Sequence, residues 1–595
     1  MALSISIAAA QIPSLRTVPV PQPTGLDRYV RDNAALTALG KALFWDVQVG
    51  SDGQTACATC HFHAGADHRV RNMIANPHSV AQTAVPNRAL TLADFPFRKL
   101  VNPNDNRSAV ERDTRMVMGS AGVIQRKFMD IVAGNGFDDG SEEPGLTAFA
   151  IGGVKARQVT ARNTPSVINS VFWVVNFWDG RASSVFTGGT PFGPADSEWR
   201  AAVLRDGKLE REAVRMDNAS LASQAVGPAL NDVEMSYSGR SWPKLARKMF
   251  AVAPLAHQRV SPADSVLGEF ANAEGNGLAP ERSYEALVRA AFRPEYWESG
   301  ELDADGYSQR ELNFPLFFGL AVQAYESALI SADSPFDRFQ EGDASALTAQ
   351  ERDGIRVFQG GSECHECHQG PEFTAASFTN VRGRGGRETA TPATLGFFRT
   401  GVSPVAEDLG GGGKDEFGNA LFPRAAGNNA RGVFKSPALR NVELTGPYFH
   451  DGSQATLEQV VAFYGRGGDF PGDGNLGPGM NRINMNANDR LAIVALMKAL
   501  TGESVKFERA PFDHPSLCVP VGHAESAPGV LMVDDSSSAT RFSAVDRWAL
   551  VPAVGREGNS APLQTFEELL SGIGSDGSRA HAMTESCEPP PASRP

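Results

Sequence analysis

The sequence predicts a mainly α-helical protein of two tandem domains with long loops and insertions, on three observations. A five-residue pattern, Cys-x-x-Cys-His, occurs twice: Cys57-Ala58-Thr59-Cys60-His61 and Cys364-His365-Glu366-Cys367-His368. A helix-like stretch precedes each copy, Gly40-Lys41-Ala42-Leu43-Phe44 and Gly354-Ile355-Arg356-Val357-Phe358, the second opened by a capping box of Thr348 and Glu351. A second matching block follows each. The first is Pro165-Ser166-Val167-Ile168-Asn169 with Phe177-Trp178-Asp179-Gly180, and the second is Pro437-Ala438-Leu439-Arg440-Asn441 with Phe449-His450-Asp451-Gly452. From Asn to the closing Gly is eleven residues in both, a spacing that marks an internal repeat.

A chain of 595 residues exceeds what one hydrophobic core organises. The repeat divides it into a leader at 1–24, a first domain at 25–340 with large insertions, a second domain at 341–502 and an extension at 503–595. The leader reads as an export-signal remnant or a plain disordered start. Residues 408–414, rich in Gly, read as a flexible loop, and the Pro-rich end at 588–595 reads as disordered. Asp plus Glu outnumber Lys plus Arg by 68 to 55, a net charge of −13 that argues against nucleic acid and anionic membranes as partners. No apolar run reaches the ~18 residues of a membrane span.

Cys-x-x-C-H is the attachment signature of c-type haem: two thiols add to the porphyrin vinyl groups and the adjacent His becomes the proximal iron ligand. A chance match is expected on the order of 0.001 times in such a chain, so two matches predict two covalent haems. A four-cysteine zinc site is the competing reading, but it requires no His after each pair. Haem c is attached outside the cytoplasm, which predicts a periplasmic or secreted protein. The other cysteines, Cys518 and Cys587, then form a disulfide or stay as two buried thiols.

With these motifs the chain resembles the bacterial di-haem cytochrome c peroxidase and MauG family. Further matching pieces are Arg162-Asn163-Thr164-Pro165-Ser166, Gly227-Pro228, Asn231-Asp232-Val233-Glu234-Met235 and Leu444-Thr445-Gly446-Pro447-Tyr448-Phe449-His450. The resemblance implies two cytochrome c-like domains. His61 and His368 become proximal ligands, and Tyr464, fourteen residues after His450, the distal ligand of the second haem. Thr456 and Gln459 make a capping box there, and Leu457, Val460, Val461 and Tyr464 share one helical face. Met480 and Met485 are rival ligands, and a hydrogen-bonded core tyrosine is the plain alternative. A phenolate lowers the reduction potential relative to Met and is the MauG-like choice.

Family peroxidases carry a distal His before the Arg-Asn-x-Pro block; residues 151–161 here contain none, only Lys155. His63, His68 and His78 lie nearer the motif, so the first haem is expected to keep an open face. By the same resemblance Glu234 is the acid/base for peroxide, Pro228 a pocket wall and Trp178 an inter-haem relay. Asn163, Thr445 and Pro447 correspond to an inter-domain calcium site of neutral oxygens. A solvated Glu, a packing Trp and an ordinary polar contact are the plain counterparts. The implied function is reduction of hydrogen peroxide with electrons from a small redox protein, or oxidation of an organic or protein substrate. The rivals are cleavage of an alkene with O2, as in the similar di-haem rubber oxygenases with their large first-half insertions, and a non-enzymatic electron carrier.

Overall fold

The computed structural model describes all residues except 1–11, 72–73, 76–86, 143–148, 152, 197, 361, 383–391, 422–429, 474–475, 481–482, 535–542, 575–585 and 591–595. The expectation of a mainly α protein is corrected. The chain is 29% helix and 18% strand, with 14 helices among the described residues. The repeats carry the principal helices; most of the strand lies in the first-half insertions and the extension, whose local signals are those of hairpins.

Each repeat is built on a helix that crosses a later one at a glycine. In the first, α1 (Asn33–Trp45) begins where the Asp32 carboxylate accepts the Ala34 and Ala35 N–H groups. It crosses α2 (Phe314–Ala328) at Gly40, where a Cβ would lie 1.8 Å from the Ala321 carbonyl oxygen. In the second, α3 (Ala349–Gln359) opens with the expected Thr348/Glu351 capping box. It crosses α5 (Ala487–Ala499) at Gly354, where a Cβ would lie 2.3 Å from the Ala492 carbonyl oxygen. Phe314, Phe317 and Phe318 fill the first core; Phe336, Phe358 and Phe373 fill the second, together with Leu457 and Val461 from α4 (Leu457–Gly465).

The second matching block also folds the same way twice. Asn169 and Asn441 take left-handed backbone (φ 61° and 59°), as do Phe177 and Phe449 (61° and 69°) and Gly180 and Gly452 (77° and 63°). The Asn169 N–H donates to Leu329 O (3.0 Å), and that of Asn441 to Leu500 O (3.1 Å). Bulky Phe is rarely found at positive φ, so its recurrence at the same place in both copies marks a backbone held by its surroundings.

The hairpins are β1 (Arg98–Leu100) with β2 (Val110–Asp113), β3 (Lys127–Ile131) with β4 (Asp138–Ser141), and β5 (Ala201–Arg205) with β6 (Lys208–Glu212). The last closes through Asp206 and Gly207, both at positive φ (48° and 76°), the two-residue turn that an Asp-Gly pair favours.

The extension packs on the first domain. Its hairpin of β7 (Leu517–His523) and β8 (Asp546–Val551) puts Leu517 and Val519 into the first core. His514 stacks on Trp45 with ring centroids 4.5 Å apart. Asp513 joins Asp264 around the buried Lys41 ammonium, at 3.7 and 2.8 Å. Cys518 and Cys587 are disulfide-bonded, with Cα atoms 6.1 Å apart. The tail expected to be disordered is tied as far as Pro590, whose carbonyl accepts the Gln54 side-chain N–H at 2.6 Å; residues 591–595 lie outside the described residues.

The glycine run at 408–414 is likewise an ordered loop. Arg162 holds Asp408 through two hydrogen bonds of 2.8 and 2.7 Å. A Cβ on Gly410 would lie 2.3 Å from the Val433 carbonyl oxygen, so glycine serves close backbone approach there rather than flexibility.

Candidate active site

At the first centre, Ala58–His61 is a single helical turn that directs Cys57, Cys60 and His61 to one place. The two thiols are not joined to each other. Burial pushes both up, Cys60 to about 12. His61 Nδ1 lies 2.8 Å from the Gly65 carbonyl. That bond places the ring proton on Nδ1 and leaves the Nε2 lone pair for a metal. Around His61, Phe44, Tyr325, Leu329, Phe512 and His514 line a space with about 390 Å³ between protein atoms, part of it open to solvent.

Glu234 comes to this centre on a turn fixed by Asn231, whose side-chain oxygen accepts the N–H groups of Val233 (2.9 Å) and Glu234 (3.1 Å). Gly122 lets a neighbouring strand pass: a Cβ there would lie 2.0 Å from the Val233 carbonyl oxygen. The Glu234 carboxylate acts electrostatically on both Cys57 and Cys60. Burial raises its own pKa, with the Arg181 guanidinium pulling it back. Pro228 opens the short turn Pro228–Leu230 just before it.

Of the alternative ligands, Lys155 sits on a short strand paired with Ala150 and Ser543. His63 and His68 are buried and stacked on each other, with centroids 3.5 Å apart. His78 lies outside the described residues.

The second centre is an apolar cavity with about 1260 Å³ between protein atoms, part of it open to solvent. Cys364, Cys367 and His368 line one side. His368 Nδ1 faces the carbonyls of Phe373 (3.2 Å) and Pro437 (3.1 Å), again leaving Nε2 free to ligate. Tyr464, Met480 and Met485 all line the same cavity. The Thr456/Gln459 capping box forms as expected and starts α4, which delivers Tyr464. Burial, then the nearby Cys367 and Cys364, raise the phenol's pKa, so an uncoordinated Tyr464 stays neutral.

Both centres therefore pair two unjoined thiols with an imidazole whose free nitrogen is set by a backbone carbonyl. These residues fit covalently held haem at both places.

Trp178 stands where the halves meet. It lines the second cavity, and its indole N–H donates to Asn163 O in the first domain at 2.7 Å. Its own carbonyl accepts the Lys435 N–H at 2.8 Å, and its ring meets His450 edge-on with centroids 6.4 Å apart. Arg162 braces the same seam by gripping Asp179 (2.6 Å) and Asp408 (2.7 Å). Asn163 reaches across to the carbonyls of Pro447 (2.6 Å) and Phe449 (3.2 Å) through its amide nitrogen. The Thr445 hydroxyl donates to Val442 O, while the oxygen assigned to calcium at this residue is its backbone carbonyl. Two of the three residues assigned to calcium thus meet, joined directly by a hydrogen bond. Oδ1 becomes a ligand there only when the Asn163 amide is turned over, an orientation set by the hydrogen-bond assignment.

Sequence reasoning missed three buried groups at these centres. Glu326 on α2 acts on Cys57 and is lifted by burial to about 8. His514 covers the first centre from the extension. Lys435 lines the second cavity. No local pattern marks Glu326 or His514, which arrive from elements far away in the chain. Lys435 stands two residues before the repeated Pro437 block, the one signal that would have drawn notice.

The sequence profile of the di-haem cytochrome c peroxidases matches residues 34–129 and 132–345, more than half of the chain. The cytochrome c551 peroxidase of Nitrosomonas europaea is 28% identical over 346 residues, covering 58% of this chain and 67% of that protein. The cytochrome-c peroxidase IdrP2 of Denitromonas iodatirespirans is 29% identical, over 35% of this chain and 54% of that protein. The methylamine utilization protein MauG of Methylorubrum extorquens is 28% identical, over 31% of this chain and 43% of its own length. The chain thus spans from under half to about two thirds of these relatives. Among solved structures, a MauG-like protein associated with microbial copper homeostasis has 20% identity, with 83% of this chain and 97% of that chain covered (TM-score 0.45). The diheme peroxidase BthA from Burkholderia thailandensis has 18% identity, with 81% and 90% covered (TM-score 0.39). The chain belongs to the di-haem cytochrome c peroxidase family, a family of haem oxidoreductases.

Proposed function

We propose that this protein is a periplasmic or secreted peroxidase-type oxidoreductase that reduces hydrogen peroxide at the first centre and exchanges electrons with the second. One observation carries the reading: Glu234 is a half-buried carboxylate close enough to act electrostatically on both Cys57 and Cys60, with Arg181 the charged side chain that offsets its desolvation. When bound, the two haems supply the iron redox chemistry that reduces peroxide to water.

The chain's own residues do the rest. Cys57, Cys60 and His61 fix the first centre and Cys364, Cys367 and His368 the second. A Glu234 carboxyl oxygen takes the proton from one peroxide oxygen and returns it to the departing one. Burial raises its proton affinity, which suits it to the return step, and the Arg181 guanidinium acts in the opposite direction. Pro228 helps wall that pocket. Tyr464 is the proposed distal ligand of the second centre, and Trp178 the path between them, consistent with a tryptophan that is anchored to Asn163 within the first domain and lines the cavity of the second. The electron donor is proposed to be a small redox protein.

The Cys518–Cys587 disulfide supports an oxidising compartment. No helix among the described residues is long and apolar enough to cross a membrane. Calcium at Asn163, Thr445 and Pro447 belongs to the proposal as an inter-domain tie; a calcium titration that raises the thermal midpoint supports it, and an unchanged midpoint removes it.

The deciding experiment supplies hydrogen peroxide and a reduced small cytochrome to the holoprotein, and separately O2 with an unsaturated hydrocarbon. Peroxide-dependent cytochrome oxidation is expected. Oxygen uptake on the hydrocarbon without peroxide turnover overturns the reading.

A further inference from the structure

Lys435 is the residue at the second centre for which the proposed reaction has no use. Its backbone is tied to the relay tryptophan by the N–H donated to Trp178 O at 2.8 Å. Lys435 is one of the residues lining the cavity of Cys364, Cys367 and His368, and it is only 3% exposed. The ammonium nitrogen sits 3.4 Å over the ring of Trp173 and has no hydrogen-bond partner among the described residues. The indole N–H of Trp173 is also buried and without an acceptor. Two donors therefore lie side by side, both dry and neither hydrogen-bonded.

Such an arrangement is costly by itself. A buried ammonium without an anion loses its hydration and gains only the ring's quadrupole in return. The one anion acting on Lys435 through space is Asp179, which is already gripped by Arg162 and Arg181. Desolvation accordingly holds the Lys435 pKa well below the usual lysine range. The missing partner must be an acceptor that reaches this apolar cavity. A haem bonded to Cys364 and Cys367 brings two carboxylates with it, its propionates, and they are its only anionic side groups.

We propose that Lys435, assisted by the Trp173 indole N–H, receives a propionate carboxylate of the haem held by Cys364 and Cys367. Lys435 is then a positioning residue. It fixes the rotation of the macrocycle next to Trp178 and places a positive charge at its edge. The proposal rests on the haem reading of residues 364–368 but not on peroxidase activity, and a spectroscopic haem count of two per chain tests that reading separately.

The experiment compares the holoprotein with Lys435→Met, Lys435→Gln and Lys435→Arg by resonance Raman of the haem propionate bending mode and by spectroelectrochemical titration of the second haem. Lys435→Met is expected to shift the propionate band and lower the midpoint potential, since removing a nearby positive charge favours the oxidised iron. Lys435→Arg is expected to restore the potential and retain a propionate hydrogen bond. Trp173→Phe is expected to give a smaller shift of the same band. An unchanged band and an unchanged potential in Lys435→Met, with two haems bound, overturn the proposal and leave Lys435 as packing on Trp173. Should Lys435→Met fail to accumulate, Lys435→Gln decides: a lowered potential with a retained hydrogen-bonded band supports the proposal, and wild-type values of both overturn it.

Discussion

The two copies of the repeat share a skeleton and differ in what surrounds it. Both cross a helix pair at a glycine, both turn at a left-handed Asn, and both set a histidine's proton with a backbone carbonyl. Around the first centre the chain has gathered ionisable groups, Glu234, Glu326 and His514, the last delivered from the extension. Around the second it has gathered Tyr464 and two methionines in an apolar chamber. The skeleton suits a cofactor in either copy, and the proposed function assigns the surrounding groups a division of labour: proton handling at one centre, ligation and electron storage at the other.

The largest test of that division is Glu234→Gln, which removes the proton carrier and keeps the shape. Peroxide turnover is expected to fall about 10²–10⁴-fold, with the absorption spectrum of the second haem unchanged. Equal turnover in the variant would remove the asymmetry.

Next is the covalent tie within the extension, which closes on the strand that enters the first core. Cys518→Ser is expected to lower unfolding free energy by about 2–5 kcal/mol, measured by denaturant titration under oxidising conditions. A loss confined to the signals of the second domain would contradict the packing of residues 503–595 on the first.

The shared skeleton predicts equal penalties. Gly40→Ala and Gly354→Ala each force a methyl group onto a backbone carbonyl and are each expected to cost about 1–3 kcal/mol. A cost in one copy only would break the equivalence of the two crossings.

The smallest effect concerns pH. Burial raises Glu326 to about 8, so the folded protein holds a proton that an unfolded chain releases near an ordinary carboxyl pKa of about 4.3. The native state binds more protons across that window. Its contribution to stability is therefore present below about 4.3, declines as pH rises toward about 8, and changes no further above it. Glu326→Gln is expected to flatten this slope in denaturation midpoints measured between pH 5 and 8. An identical slope in the variant shows that Glu326 is not the source.

What the sequence revealed was what short-range chemistry encodes. The Cys-x-x-Cys-His patterns, the capping boxes at Thr348/Glu351 and Thr456/Gln459, and the eleven-residue Asn-to-Gly spacing each involve neighbours in the chain. The hairpins were also encoded locally, by Asp206-Gly207 for one, but the helical repeats outweighed them in the reading of fold class. Glu326 and Lys435 were invisible for a different reason: their burial is decided by elements hundreds of residues away. The glycine run at 408–414 was misread because composition cannot tell a glycine that moves from one that makes room for a neighbouring carbonyl.

The hydrogen bond from Gln54 to Pro590 joins residues 536 positions apart, three residues before the first haem-binding thiol. That contact waits until residue 590 has been synthesised, so the surroundings of the first motif are completed long after the motif itself emerges. Trimming the final stretch would therefore alter the environment of residue 57 rather than remove a dispensable appendage.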